Sequence, residues 1–251
     1  MKTISVIIPT CNRPKKVRKA VKSCMKQTRL PHEIIIVDNG SSPETIKQNI
    51  QTAKLKSSKG IVEHITLPDG DVSAARNIAA SYAKGDYIAL LDDDDVWYTD
   101  KLKKQAQLLD DDLSIDLVGC CSSTHHSPLK IKSKYFHIKP IHAVYVCFIF
   151  PSAMLMRNHV IKNIPFRKGM KLYEDYEWLI RVSGEYKIVR TPDKLYFRGH
   201  GGVSSTSSGF DKERTSILMQ LMSELPMNAL NIKQAIVKFC EAKEKHERGD
   251  K

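Results

Sequence analysis

Tyr87-Ile88-Ala89-Leu90-Leu91 is an apolar run with no polar alternation, and Asp92-Asp93-Asp94-Asp95 follows it without a break. A segment that never alternates reads as a strand buried on both faces, the kind found where helices cover both sides of a largely parallel sheet. Four adjacent carboxylates repel one another and are poor strand formers. They are tolerated at a strand's end, in water, or around a cation. In open α/β sheets, ligands bind just past the carboxyl ends of the strands. Two readings follow: a solvated acidic turn before a helix starting near Thr99-Asp100, or a divalent-metal site faced by Asp92 and Asp94. The buried strand in front of the acids, together with the segments described below, favours the metal.

At 251 residues the chain can bury a full core as one large α/β domain, with or without an appendage. Its net charge is +12, and the segment from Met1 to His32 carries nine Lys/Arg with no Asp or Glu. That excess favours anionic partners such as nucleotide phosphates, acidic glycans, anionic lipid surfaces or nucleic acid. Cys11, Cys24, Cys120, Cys121, Cys147 and Cys240 lack zinc-site spacing and read as reduced residues of a cytosolic protein. Lys2 leads straight into a strand, which leaves no room for a signal-peptide core. The longest apolar stretch, Ala143 to Met156, is broken by Pro151 and Ser152 and is too short to span a bilayer. The expectation is a soluble or at most peripheral protein.

Ile4 to Ile8 reads as a strand ended by Pro9, and Pro14 as the opening of a helix whose Val17, Ala20, Val21 and Cys24 share a buried face. Glu33 to Val37 is a second strand, with Asp38 at its carboxyl end able to accept hydrogen bonds from a base or ribose. Gly40 allows a tight turn, and Ser42-Pro43-Glu44 starts another helix. No G-x-G-x-x-G is present, so this is not a dinucleotide fingerprint. Ile61 to Ile65 is a third strand. Ser73 is expected to cap a helix with Arg76 and Asn77 in its first turn, where a cation opposes the dipole unless an acid or phosphate pairs with it.

Ser5-Val6-Ile7-Ile8-Pro9-Thr10-Cys11-Asn12-Arg13, Ile36-Val37-Asp38-Asn39-Gly40-Ser41, Ala75-Arg76-Asn77 and Leu91-Asp92-Asp93-Asp94-Asp95-Val96-Trp97 occur in one order and at one spacing. Together they resemble the nucleotide-sugar half of the family 2 glycosyltransferases. The resemblance spans roughly the first 110 residues and continues more loosely to about Ser207. It implies an α/β GT-A fold, that is, a Rossmann-like central mixed sheet flanked by helices, here with a C-terminal helical extension. The nucleotide-sugar half would be 1–110, the acceptor half 111–209 and the extension 210–251.

The resemblance also implies roles. Pro9, Thr10 and Asn12 match residues that hold the nucleoside, Asp38 the acid that contacts the base, and Arg76 a residue near the nucleotide. Asp92 and Asp94 match the D-x-D pair that binds Mn²⁺ or Mg²⁺, with Asp94 favoured as the direct ligand. Asp93 and Asp95 are placed at ribose, donor sugar or a nearby water. In Tyr173-Glu174-Asp175-Tyr176-Glu177-Trp178, Asp175 aligns with the catalytic base. Glu174, Glu177, Asp95 and Trp97 fall on the acceptor side or just behind it. His200, in the Gly/Ser-rich loop 199–205, matches a metal or diphosphate ligand, and the loop itself reads as a lid.

Further expectations are a helix from Thr99 to Leu109, a polar turn at Asp110-Asp111-Asp112, a strand at Asp116 to Cys121 and a basic loop or hairpin from Ser122 to His142. A strand pair is expected at Tyr145 to Phe150 and Ala153 to Arg157, with two late strands at Lys187 to Val189 and Lys194 to Arg198. The leading reading is an inverting, metal-dependent glycosyltransferase using a nucleotide-sugar donor, with UDP favoured by family frequency. The acceptor would be a glycan or glycolipid of bacterial surface-polysaccharide assembly. The enzyme would be cytoplasmic, with peripheral contact at the inner face of the cell membrane through its basic first helix. A sugar nucleotidyltransferase would need a Gly-rich triphosphate loop where Pro9 to Pro14 stands. A nucleic-acid module lacks a reader motif, and its phosphates would be repelled by four carboxylates.

Overall fold

The computed structural model describes residues 1–55, 61–68, 70–124, 133–145, 149–199, 212–226 and 229–248, the side chains of 61, 212 and 244–248 excepted. In chain order the elements are β1 (Ile4–Thr10), α1 (Pro14–Met25), β2 (Glu33–Asn39), α2 (Pro43–Ala53), β3 (Ile61–Leu67), α3 (Val72–Tyr82), β4 (Tyr87–Leu90), β5 (Val96–Trp97) and α4 (Lys101–Asp111). There follow β6 (Leu117–Ser122), β7 (Phe136–Ile138), α5 (Pro140–Tyr145), β8 (Leu155–Arg157), α6 (Asn158–Asn163), α7 (Glu174–Glu185), β9 (Ile188–Phe197), α8 (Lys212–Glu224) and α9 (Leu230–Arg248). One mixed sheet runs β3-β2-β1-β4-β8-β6-β9-β5, with β7 added on β9.

The first four strands are parallel, and β1, β2 and β4 are buried along their whole length, as unalternated aliphatic runs require. The order 3-2-1-4 makes the β1/β4 junction a switch point, where the loops leaving the two strands diverge and open a crevice. Beyond it β8 pairs antiparallel with both β4 and β6, so the second half of the chain joins the same sheet directly.

Several local expectations change. Pro9 does not end β1, which continues to Thr10 paired with Asp38. The β4 ladder stops at Leu90 opposite Ile7, so the N–H that Pro9 lacks falls where no neighbour needs it. Asp71, not Ser73, caps α3; its Oδ1 accepts from the N–H groups of Ser73 (2.8 Å) and Ala74 (3.3 Å). Asp110 and Asp111 belong to α4 rather than to a turn. Tyr145, the expected start of a strand to Phe150, instead ends helix α5; residues 146–148 of that strand lie outside the described residues, and a 3₁₀ turn over Pro151–Ala153 leads into β8. The two late strands are one, β9, which runs through Pro192. No helix among the described residues is long and apolar enough to cross a membrane.

Candidate active site

At the switch point the chain leaves β4 into a turn closed by the Asp95 N–H donating to the Asp92 carbonyl (3.1 Å). The four carboxylates diverge from there. Asp93 turns toward β1, accepting from Thr10 Oγ1 (2.7 Å) and Arg13 Nη1 (3.2 Å). Asp94 lies 3.6 Å from Arg13 Nη1 and 3.7 Å from Lys16 Nζ. Asp95 turns inward and accepts from the Gly199 N–H (2.8 Å). Asp92 accepts from Arg76 Nη2 (2.9 Å) with a third of its side chain still open to solvent, while its N–H donates to Ser152 Oγ (2.9 Å). Burial raises the pKa values of Asp92 and Asp93, and burial together with the neighbouring Asp92 charge pushes Asp95 up to about 7.

Arg76 joins the two halves of the chain. Its guanidinium is almost wholly buried and bridges Asp92 Oδ1 and Glu174 Oε1, at 2.9 Å each, while lying 5.1 Å from the centre of the Phe166 ring. Burial pulls its pKa down, but Asp92 and Glu174 more than offset this and hold it above the ordinary value. With Asp71 as the cap, Arg76 is the fifth residue of α3, just past the first turn in which the sequence reading had placed it. Glu174 and Asp175 open α7 behind Tyr173, whose φ of 63° is left-handed and costly for a non-glycine residue. Burial first, and then the Glu174 charge, push the Asp175 carboxyl up to about 6, with Arg76 opposing. Two acid clusters, one from each half, therefore meet across a single arginine.

The end of the crevice at β2 is equally built. Asp38 is fully buried; its Oδ2 accepts from Asn49 Nδ2 (2.7 Å) and lies 3.4 Å from His64 Nε2, while Oδ1 has no hydrogen-bond partner among the described residues. Asn12, also left-handed (φ 54°), accepts from the Ser42 N–H and receives the Ser41 hydroxyl as acceptor of its own N–H. It ties the loop after β1 to the loop after β2.

Other assigned residues lie further from the opening. Glu177 is buried against Arg181 (2.7 and 2.8 Å) and Arg167 (3.3 Å). Trp97 is buried, donating from Nε1 to the Ser152 carbonyl (2.9 Å), with Lys101 4.1 Å above its ring. His200 and the rest of the proposed lid lie outside the described residues. Gly199, the lid's first residue, is described: a Cβ built there would fall 1.9 Å from the Asp94 carbonyl oxygen, so only glycine lets the chain cross this turn. Sequence reasoning missed Arg13, Lys16 and Ser152. The basic start of α1 signalled the first two, whereas Ser152 sits in an apolar run that carries no signal.

Residues 5–176 match the model of glycosyl transferase family 2. A UDP-Glc:alpha-D-GlcNAc-diphosphoundecaprenol beta-1,3-glucosyltransferase of Escherichia coli is 30% identical over 221 residues, covering 82% of this chain and 81% of that protein. An uncharacterized glycosyltransferase of Rickettsia conorii is 36% identical over 140 residues, 56% of this chain but 21% of that protein. Another, of Haemophilus influenzae, is 34% identical, the match spanning 43% of each chain. Among solved structures, Staphylococcus aureus TarS 1-349 in complex with UDP-GlcNAc superposes with a TM-score of 0.75 at 20% identity, covering 95% of this chain and 71% of that one. A mannosyltransferase of Pyrobaculum calidifontis in complex with GDP-Man and Mn²⁺ gives 0.67 at 15%, covering 93% and 68%. A mixed sheet whose switch point carries an acidic turn, with the family match running from β1 into α7, defines a GT-A glycosyltransferase domain. The chain belongs to glycosyl transferase family 2.

Proposed function

We propose that this chain transfers a sugar from a nucleoside diphosphate donor, with UDP as the favoured nucleotide, to an acceptor hydroxyl with inversion at the anomeric carbon. The observation that carries this reading is the Arg76 bridge, which holds Asp92 after β4 and Glu174 of α7 on either side of one guanidinium. Transfer with inversion needs that separation: leaving-group chemistry on one face of the sugar, proton removal on the other. Asp175 takes the acceptor proton, and its raised pKa suits a base working near neutrality. Asp38 keeps one buried carboxylate oxygen unpartnered, an acceptor suited to a ring N–H of the base. Arg13 and Lys16, held 3.6 and 3.7 Å from Asp94, set two cations beside the acidic turn, a setting suited to phosphate oxygens.

Among the described residues no three metal-ligating side chains converge. Two oxygen donors still fit a hard divalent ion, because Mg²⁺-type sites use one or two carboxylates and take further oxygens from substrate phosphates. Asp92 and Asp94 would hold Mn²⁺ or Mg²⁺, with His200 as a further ligand proposed from the resemblance. Bound there, the ion would stabilise the diphosphate as a leaving group. Isothermal titration with UDP tests the assignment: binding should be much tighter with Mn²⁺ than with EDTA, and Asp94→Asn should remove the difference. Equal UDP affinity of the wild type in Mn²⁺ and in EDTA would exclude Asp92 and Asp94 as the ligands.

The acceptor of the Escherichia coli relative is, by its name, a lipid diphosphate, and a lipid-linked glycan is proposed here. Lys15, Arg18, Lys19, Lys22 and Lys26 form an exposed basic face on α1 suited to an anionic leaflet, at about 1 kcal/mol per cation near the surface. The enzyme would then work at the cytoplasmic face of the membrane. Flotation with anionic vesicles should recover the protein in low salt and release it in high salt. Equal recovery on neutral vesicles would show that these charges are only solvated.

A further inference from the structure

We propose that the C-terminal helix α8 is a positioning element of the catalytic site, holding the base-bearing first turn of α7 at two points through Arg214 and Glu224. The proposal rests on Asp175 acting as the base. Every described neighbour of Asp175 on that turn is fixed from a different direction. Glu174 is held by Arg76 from α3. Tyr176 is buried, its ring covered by the Arg214 guanidinium 4.5 Å away, and its hydroxyl donates to the Val144 carbonyl. Arg214 is itself almost fully buried and donates from Nη2 to the carbonyls of Val144 (3.1 Å) and Tyr145 (2.8 Å). It thus ties α8 to both the end of α5 and the ring next to Asp175. At the other end of α8, Glu224 pairs with Arg167 through two hydrogen bonds, the longer at 3.1 Å, and Arg167 continues to the buried Glu177 at 3.3 Å.

This arrangement goes beyond what packing alone asks of α8. Leu218 and Leu221 already bury the helix's apolar side. Between its last turn and α7, however, lies a cavity of about 610 Å³ lined by Arg167, Arg181, Glu224, Leu225 and Ile232 among others. Apolar contact does not fill that gap, so the Glu224–Arg167–Glu177 chain spans it. The turn it reaches begins with left-handed Tyr173 and therefore needs external restraint. Glu177, Arg214 and Glu224 all lie past the segment matched by the family model, which ends at residue 176.

A base displaced by about 1 Å can cost on the order of 100-fold in rate. Full-length wild type, Arg214→Met, Arg214→Lys and Glu224→Gln should be compared for Mn²⁺-dependent hydrolysis of a panel of UDP- and GDP-sugars, with water as acceptor. Arg214→Met should lower kcat about tenfold or more with the donor KM within about twofold, and Arg214→Lys should regain part of the loss. Glu224→Gln, an isosteric change at an exposed position, should lower kcat about threefold. Hydrogen exchange at the Glu177 amide, which is bonded to the Tyr173 carbonyl, should quicken in Arg214→Met and Glu224→Gln. Unchanged kcat and exchange in Glu224→Gln, or a raised donor KM with kcat intact, would overturn the proposal. A wild type inactive toward every donor would instead overturn the reading of Asp175 on which it rests.

Discussion

Asp175→Asn is expected to keep metal-dependent nucleotide binding and to lose transfer by about two to four orders of magnitude, the usual contribution of a positioned base. The amide matches the carboxylate in size and can still accept from the Tyr176 N–H (2.8 Å), so the turn keeps its shape. What it cannot do is take a proton. The pH dependence follows from the same surroundings. Burial and Glu174 raise the carboxyl to about 6, so kcat should fall as pH drops through about 6, not near 4 where an ordinary aspartate protonates. Glu174→Gln removes the second of those causes and should move this acid limb to lower pH. The linkage sign is that of an acid whose folded pKa lies above its unfolded one: its contribution to stability is present below about 4 and lost as pH rises through about 6. Asp175→Asn should therefore melt at a higher temperature than wild type at pH 8, with the difference fading toward pH 4. A variant that turns over at near wild-type rate would remove Asp175 from the mechanism.

Arg76→Met should be the most damaging single change to the fold of the site. Its side chain is 3% exposed, against 33% for Asp92 and 17% for Glu174. Methionine fills similar space beside Phe166 but leaves two carboxylates facing each other without a cation. Removing one partner from a buried ion cluster costs about 3 kcal/mol or more, because the remaining charges stay desolvated. Asp92 would lose its fixed direction, and the first turn of α7 its link to α3. Chemical denaturation should show a lower midpoint of that size with an unchanged slope, together with loss of Mn²⁺-dependent UDP binding. Arg76→Lys keeps the charge but cannot span both acids with one planar group, so it should recover stability better than binding. Wild-type stability in Arg76→Met would mean that Asp92 and Glu174 are held by other groups.

The sheet and its switch point were legible because their signals are local. Unalternated runs mark β1, β2 and β4, and the acid cluster marks where β4 stops. Arg76 was legible for a similar reason: a cation near the start of a helix of small residues calls for a partner, and the structure supplies two. Signals failed where the partner is distant in sequence. Asp71 outranks Ser73 as the cap of α3 because its other oxygen also accepts from the Gly169 N–H (2.8 Å), 98 residues away. Tyr145 was placed in a strand by the family resemblance, but it ends α5, which packs on α7 and α9 through contacts that no local pattern announces. Ser152 and Arg214 serve the site through contacts made only after folding: the first under the acidic turn, the second over the Tyr176 ring.

The claim that the two acid clusters act on opposite faces of one sugar is tested most directly by the configuration of the product. Proton NMR of the transfer product reads its configuration from the anomeric coupling, which the glycosidic bond locks in place. Inversion relative to the donor is the result predicted by Asp92 and Asp94 on the leaving-group side and Asp175 across the opening. Retention of configuration would contradict it, because it requires a second displacement for which Asp175 is not the base.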